Sequence, residues 1–302
     1  MNETTRAYLT LHFCVFLWGF TAILGKLITL QALPLVWWRV LLCCIGLWIL
    51  LSKGQLRGLS RGVVWQMLGI GALVGLHWLC FYDAIKRSNA SVAVATMATT
   101  SFFSALFEPL LLRQRMNWHE LALGALILPG MALVVGNLNW SMRDGFIVGT
   151  VGALLASVFT TLNKRLLDGP APPPALAISF VELFGVFAVC SLLLPVEIAR
   201  TPALRISPEG WDWAWMCVLA WMCTLLPYYL SLKAMRHVSA FATNLTINLE
   251  PVYGVLLASV FFQEHKTLPD GFYTGVGIIL LAVFSHPFLK RMMNNERNHS
   301  SF

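Results

Sequence analysis

Ten apolar runs of roughly 20 residues follow one another along this chain, near residues 7–29, 33–52, 63–84, 89–112, 118–136, 145–166, 173–194, 211–232, 238–262 and 268–289. A helix needs about 20 apolar residues to cross the ~30 Å hydrocarbon core of a bilayer, so each run is long enough to span. The longest connection, about 195–210, is too short to hold a soluble domain. In lipid every backbone donor and acceptor must find its partner inside the protein, which for runs of this length means helices. The expected fold is an all-α integral membrane protein. Composition agrees: the 302 residues are 58% hydrophobic and 12% charged, where a soluble domain carries about 25% charge.

The formal net charge of +7 therefore bears on orientation in the membrane. No Lys/Arg-rich run with interleaved aromatics offers a nucleic-acid surface, so no nucleic acid is expected as a partner. With a cytoplasmic N-terminus, thirteen Lys and Arg fall on the inside, among them Arg57, Arg113, Lys164, Arg236 and Lys290, against six outside. That excess predicts both termini in the cytoplasm. Arg6 followed by an apolar run resembles a signal peptide. The run continues to Ile28 across Trp18 and Lys26 without an A-x-A-like cleavage site, and it reads as a retained first span. The seven cysteines (Cys14, Cys43, Cys44, Cys80, Cys190, Cys217, Cys223) lie inside apolar runs without metal-ligand spacing and read as small buried residues. No cofactor or metal is expected.

Shifted by 150 residues, "DAIKRSNASVAVATMATTSFF" (83–103) lies over "KAMRHVSAFATNLTINLEPVY" (233–253), pairing Ala84 with Ala234, Thr96 with Thr246 and Phe103 with Tyr253. Further on, Gln114 meets Glu264. Two five-span repeats are expected, 1–140 and 141–302. Five is odd, so the second repeat lies inverted relative to the first, about a pseudo-two-fold axis in the membrane plane.

These segments resemble a known family. "LWGFTAILGK" (17–26), "LPLVWWRVLL" (33–42), "GALILPGMALV" (124–134) and above all "NLEPVYGVLLASVFFQEHKTL" (248–268) are similar to the EamA-type members of the drug/metabolite transporter superfamily. The first repeat departs from the family pattern at Ser101, usually Pro, and at Arg113-Gln114, usually Gly-Glu. The resemblance implies ten helices with both termini inside, working as a carrier of small metabolites, often an exporter.

Within the ninth run, Glu250 and Pro251 stand together at mid-depth, 14 and 16 residues from Arg236 and Lys266. At 1.5 Å per residue that is roughly 20–25 Å from either end. Pro251 cannot donate to the carbonyl of Ile247 and breaks the helix there. An intramembrane acid beside a helix break is a binding-site hypothesis. On a continuous helix Thr243, Thr246 and Glu250 share one face, and the 150-residue shift lays Thr246 and Glu250 over Thr96 and Thr100. That Thr/Glu face is expected to bind substrate, with Asn244 and Asn248 on the opposite face as contacts between helices. Trp18, Trp78, Tyr228 and Tyr229 are candidate walls for a flat or cationic solute, whereas Trp37 and Trp38 read as an interfacial belt. Glu250, Glu182 and His77 are the candidates for proton coupling. Lys26, Arg39 and Asp83 read as a structural ion-pair group toward the outside.

The G-x-x-x-G spacings at Gly71–Gly75, Gly145–Gly149 and Gly271–Gly275 permit close helix contacts, a homodimer included, without specifying one. H-E-x-x-H, P-loop and G-x-S-x-G motifs are absent, and no enzyme is expected. The expectation is a secondary transporter in the cytoplasmic membrane, an exporter of amino acids or similar small organic solutes. A membrane receptor, a structural protein or an integral-membrane enzyme are the alternatives.

Overall fold

The computed structural model describes residues 2–285 apart from 52–53, 126, 248 and 282–284. Among the described residues the secondary structure is helical, without a strand. The first half comprises α1 (Glu3–Leu27), α2 (Ala32–Leu50), α3 (Arg61–Arg87), α4 (Ala90–Met97), α5 (Thr100–Leu112), α6 (Trp118–Ala125) and α7 (Ile127–Gly136). The second comprises α8 (Trp140–Leu167), α9 (Ala175–Arg200), α10 (Asp212–Cys217), α11 (Leu226–Ala234), α12 (Ala240–Ile247), α13 (Glu250–Phe262) and α14 (Asp270–Leu281). Their starts are set locally: the side chains of Asn2, Ser60 and Asn89 accept from backbone N–H groups in the first turns of α1, α3 and α4.

Seven segments are long and apolar enough to cross a membrane: α1, α2, α3, α4 with α5, α8, α9, and Asp212–Ala234. The other expected runs are divided or shorter. Residues 118–136 form α6 and α7, residues 240–262 form α12 and α13, and α14 is described to Leu281.

Two breaks lie 150 residues apart in identical register. α4 stops at Met97 and α5 starts at Thr100, while α12 stops at Ile247 and α13 starts at Glu250. Both second pieces then end in a left-handed residue, Arg113 and Gln263, each at φ 55°. The causes differ. Pro251 supplies the second break by lacking an N–H. In the first half the Thr96, Thr99 and Ser101 hydroxyls each bond the carbonyl three residues back, at 2.6, 2.8 and 3.4 Å. Such bonds compete with the helical ladder and so stand in for the missing proline.

Between α10 and α11 the helix widens to a π-helix over Val218–Leu225. The Thr224 hydroxyl bonds the carbonyl of Leu219, five residues back, at 2.6 Å, and Pro227 follows without a donor. π-turns of this kind concentrate at functional sites.

Packing repeats across the two halves. α3 lies on α8 as α11 lies on α1, α1 on α13 as α8 on α5, α4 on α13 as α12 on α5, and α2 on α9. The three G-x-x-x-G spacings are used inside the chain. A Cβ at Gly71 would run into the backbone of Glu182, and one at Gly149 into Thr96. Gly275 and Gly130 approach each other's carbonyls. The homodimer that these glycines permit therefore has no claim on them. Trp48, Trp65, Trp118, Trp140 and Trp211 are exposed, as a lipid-facing or interfacial ring should be. Trp37 and Trp38 are half-buried, and their indoles donate to the Ser191 hydroxyl (2.9 Å) and the Ile206 carbonyl (2.8 Å).

Candidate functional site

A cavity of about 100 Å³ lies where the two broken helices meet. By that measure a water occupies ~10–15 Å³, so there is room for several waters or one small solute. α1 contributes Trp18 and Thr21, α2 Arg39, and α3 His77, Trp78 and Phe81. α4 and α5 contribute Met97 and Thr100, matched 150 residues later by Ile247 and Glu250 of α12 and α13. α8 adds Ala156, Phe159, Thr160 and Asn163; Tyr228, Ser231, Leu232, Met235 and Thr243 complete the wall.

Glu250 is the first residue of α13 and is buried. The Glu-Pro pair is thus a helix start buried inside the bundle. A carboxylate is favoured on the positive end of the helix dipole, and proline costs nothing in the first turn, where its N–H would have no partner. Across the cavity Arg39 is buried, with its Nε donating to the Thr224 hydroxyl (2.6 Å) and an Nη to the Tyr82 hydroxyl (2.9 Å). Its guanidinium carbon sits 3.9 Å from the Trp78 ring centroid. The cation–π contact and the opposite charge of Glu250 make a buried arginine tolerable there.

The structure brings Glu250, Thr100, Thr243, Trp18, Trp78, Tyr228 and His77 to one cavity. It does not bring Thr96, Thr246 or Tyr229 to it. Thr96 packs against Gly149 and donates to the Ala93 carbonyl, and Thr246 donates to the Ala242 carbonyl at 2.9 Å. Both stand in the helix piece before the break, so the four-residue spacing to Thr100 and Glu250 does not hold them on a common face. Tyr229 is half-buried away from the cavity. Asn248 and the side chain of Asn244 lie outside the described residues.

His77 donates from Nδ1 to the Gly152 carbonyl at 2.8 Å, since a carbonyl can only accept, and stacks on Phe81. Glu182 is fully buried just behind the wall, where the Tyr228 hydroxyl and the Asn163 amide donate to it. The expected group of Lys26, Arg39 and Asp83 is dispersed. Lys26 pairs with Glu264 at 2.6 Å, Asp83 pairs with Arg87 at 2.6 Å, and Arg39 turns into the cavity. Sequence reasoning had seen Arg39 without its role and had passed over Thr21, Thr160 and Asn163. Thr21 is signalled as an isolated polar side chain inside an apolar run, whereas Thr160 and Asn163 sit among Thr161, Lys164 and Arg165 at the end of theirs.

The fold has relatives. A solved crystal structure superposes with a TM-score of 0.67 at 17% identity, over 96% of this chain and 99% of its own, which shows a shared fold. An uncharacterized transporter, sll1319, of Synechocystis sp. (strain ATCC 27184 / PCC 6803 / Kazusa) is 21% identical over 212 residues. That alignment covers 69% of this chain and 62% of the relative's length. The model of the EamA-like transporter family matches twice, at residues 5–136 and 144–285. With nearly the whole chain so matched, and with several helices fit to cross a membrane, this protein belongs to the EamA-like transporter family of the drug/metabolite transporter superfamily.

Proposed function

We propose that the protein is a secondary transporter that exports amino acids or similar small organic solutes across the cytoplasmic membrane. In this reading it has ten spans in two inverted five-helix repeats, 1–140 and 141–302, with both termini cytoplasmic. Counted across their breaks, residues 118–136 and 240–262 reach roughly 28 and 34 Å, enough to cross. The twofold family match, the register of the two breaks and the paired helix contacts support the repeats.

The observation that carries the reading is a cavity built from corresponding elements of both halves, with Arg39 and Glu250 in its wall. A solute bearing an ammonium and a carboxylate has a counter-charge for each, and Trp18, Trp78, Phe81 and Phe159 supply walls for an apolar remainder. Rocking one half against the other about the breaks would expose this cavity to either side in turn. Glu250 is the coupling acid: it can exchange its proton with the solute's cationic group as the cavity changes sides.

Liposomes containing only this protein test the reading by counterflow of radiolabelled amino acids, with and without an imposed pH difference. One pH unit is worth about 1.4 kcal/mol, so one coupled proton supports up to ~tenfold accumulation. Glu250→Gln should keep exchange and lose pH-driven accumulation. Wild-type flux indifferent to the pH difference would leave Glu250 as a substrate ligand only. Flux equal to that of empty liposomes across the amino-acid panel would remove the substrate class.

A further inference from the structure

Glu182 and Arg39 occupy corresponding places, each seven residues past the first residue of its helix, Ala175 in α9 and Ala32 in α2. Each meets an aromatic residue of the following span, and those two, Trp78 and Tyr228, are 150 residues apart with ring centroids at 6.2 Å. Arg39 has Glu250 as a counter-charge. Glu182 has none.

The surroundings of Glu182 can be taken element by element. α3 meets this part of α9 through Gly71, Leu68 and Gly75, and its His77 is turned to the Gly152 carbonyl. From α2, Arg39 is directed to Thr224 and Tyr82, and Cys43 to the Ala220 carbonyl. α11 presents Tyr228 and α8 presents Asn163. Among the described residues no Lys, Arg or His pairs with Glu182. A carboxylate 0% exposed without a counter-charge costs several kcal/mol, and such a group neutralises instead.

The hydrogen bonds say where the neutralising proton sits. Tyr228 and Asn163 both donate to Glu182 Oε2, the latter from Nδ2 at 3.2 Å. The remaining oxygens of the two groups, Glu182 Oε1 and Asn163 Oδ1, are buried acceptors without a donor. An amide and a carboxylic acid pair through two arms, N–H to carbonyl and O–H to carbonyl. The first arm is in place, and one proton on Oε1 directed to Oδ1 completes the second. A metal cation is the poorer occupant. A hard cation takes about six oxygen ligands or more, and the Tyr228 hydroxyl and the Asn163 Nδ2 both meet Glu182 Oε2 as donors rather than as ligands.

We propose that Glu182 is a proton-binding site, distinct from Glu250, that holds its proton against Asn163 and through Tyr228 and Asn163 fixes two cavity-lining side chains. Loss of that proton turns Asn163 from acceptor to donor toward Oε1 and so reshapes the cavity wall. The proposal deepens the transport reading, because it assigns a control to the same cavity.

Infrared difference spectroscopy of the purified full-length protein in lipid nanodiscs tests it without any solute, so its outcome is separable from that of the flux assays. In a Glu250→Gln background, which removes the coupling acid's own signal, the protein should show the carbonyl stretch of a protonated, hydrogen-bonded carboxylic acid at neutral pH, absent once Glu182→Gln is added. Tyr228→Phe removes a donor to the carbonyl oxygen and should move the band to higher frequency. A Glu250→Gln protein without the band, or a band that survives the added Glu182→Gln, overturns the proposal. So does a band abolished by sodium chloride at constant pH, which would mark an ion site. If Glu182→Gln yields no folded protein, the Tyr228→Phe shift decides: a shifted band supports the assignment and an unmoved band refutes it.

Discussion

At the scale of the residue, a polar side chain in an apolar run announces itself, while its direction does not. Thr100 and Thr246 look equivalent in sequence, each expected on a Thr/Glu face. In the folded chain Thr100 opens α5 at the cavity, and Thr246 closes its hydroxyl onto the Ala242 carbonyl. Thr100→Val should therefore cut liposome flux severalfold, since it leaves a substrate-facing position without its hydroxyl. Thr246→Val should stay within about twofold of wild type, because the local bond it removes is worth ~1 kcal/mol at most to a helix already packed. Flux measured at matched folded yield separates them; equal losses would mean that the cavity extends to the other face of α12. Arg39 teaches the same lesson in reverse. The sequence placed it toward the outside among Lys26 and Asp83, but each of those neighbours has its own acid or base, and the aromatic face of Trp78 together with Thr224 holds the guanidinium inward.

At the scale of the element, the two breaks show how one geometry arises from different residues. Proline makes the break before α13, and hydroxyl-to-carbonyl bonds make its counterpart before α5. Pro251→Ala restores an N–H that can donate to the Ile247 carbonyl and join α12 to α13. Its expected outcome is a stability within about 1 kcal/mol of wild type, the gained helical bond offset by the added freedom of the unfolded chain, with flux largely lost, as melting and counterflow on one preparation would show. Unimpaired flux would mean that the break before α13 is not needed for transport. The existence of the break was legible from Glu250-Pro251. That the acid becomes a helix-initiating residue, facing an arginine from the other half, was not, since a helix start is read from neighbours on both sides of the chain.

At the scale of the molecule, the two halves are tied across their interface. Glu264, in the turn after α13, is buried and accepts from Lys26 Nζ at 2.6 Å, from Ser91 Oγ at 2.6 Å and from the Ser91 N–H at 3.0 Å. It thereby caps α4 of the other half, where a negative charge meets the positive helix end. The proposed orientation puts this clasp outside. In a cysteine-free background, Arg57→Cys should be shielded from a membrane-impermeant thiol reagent in intact cells and Ala203→Cys should react. The opposite pattern would turn the molecule over.

The sequence by itself determined that this chain is helical and belongs in a bilayer, because a lipid solvent forces each apolar run to satisfy its own backbone and so makes that choice locally. It also carried the 150-residue repeat and the Glu250-Pro251 pair at a helix break, which depend only on order and spacing along the chain. Only the tertiary structure decided which side chains share a cavity. Thr96 and Thr246 leave it, Arg39 and Asn163 enter it, and Glu182 stays behind it because α3, α8, α9 and α11 close around those positions. In a membrane-embedded bundle, water does not sort the faces of a helix. Packing against distant segments does, through small residues such as Gly71 and Gly149 and through buried hydrogen bonds that no local pattern specifies.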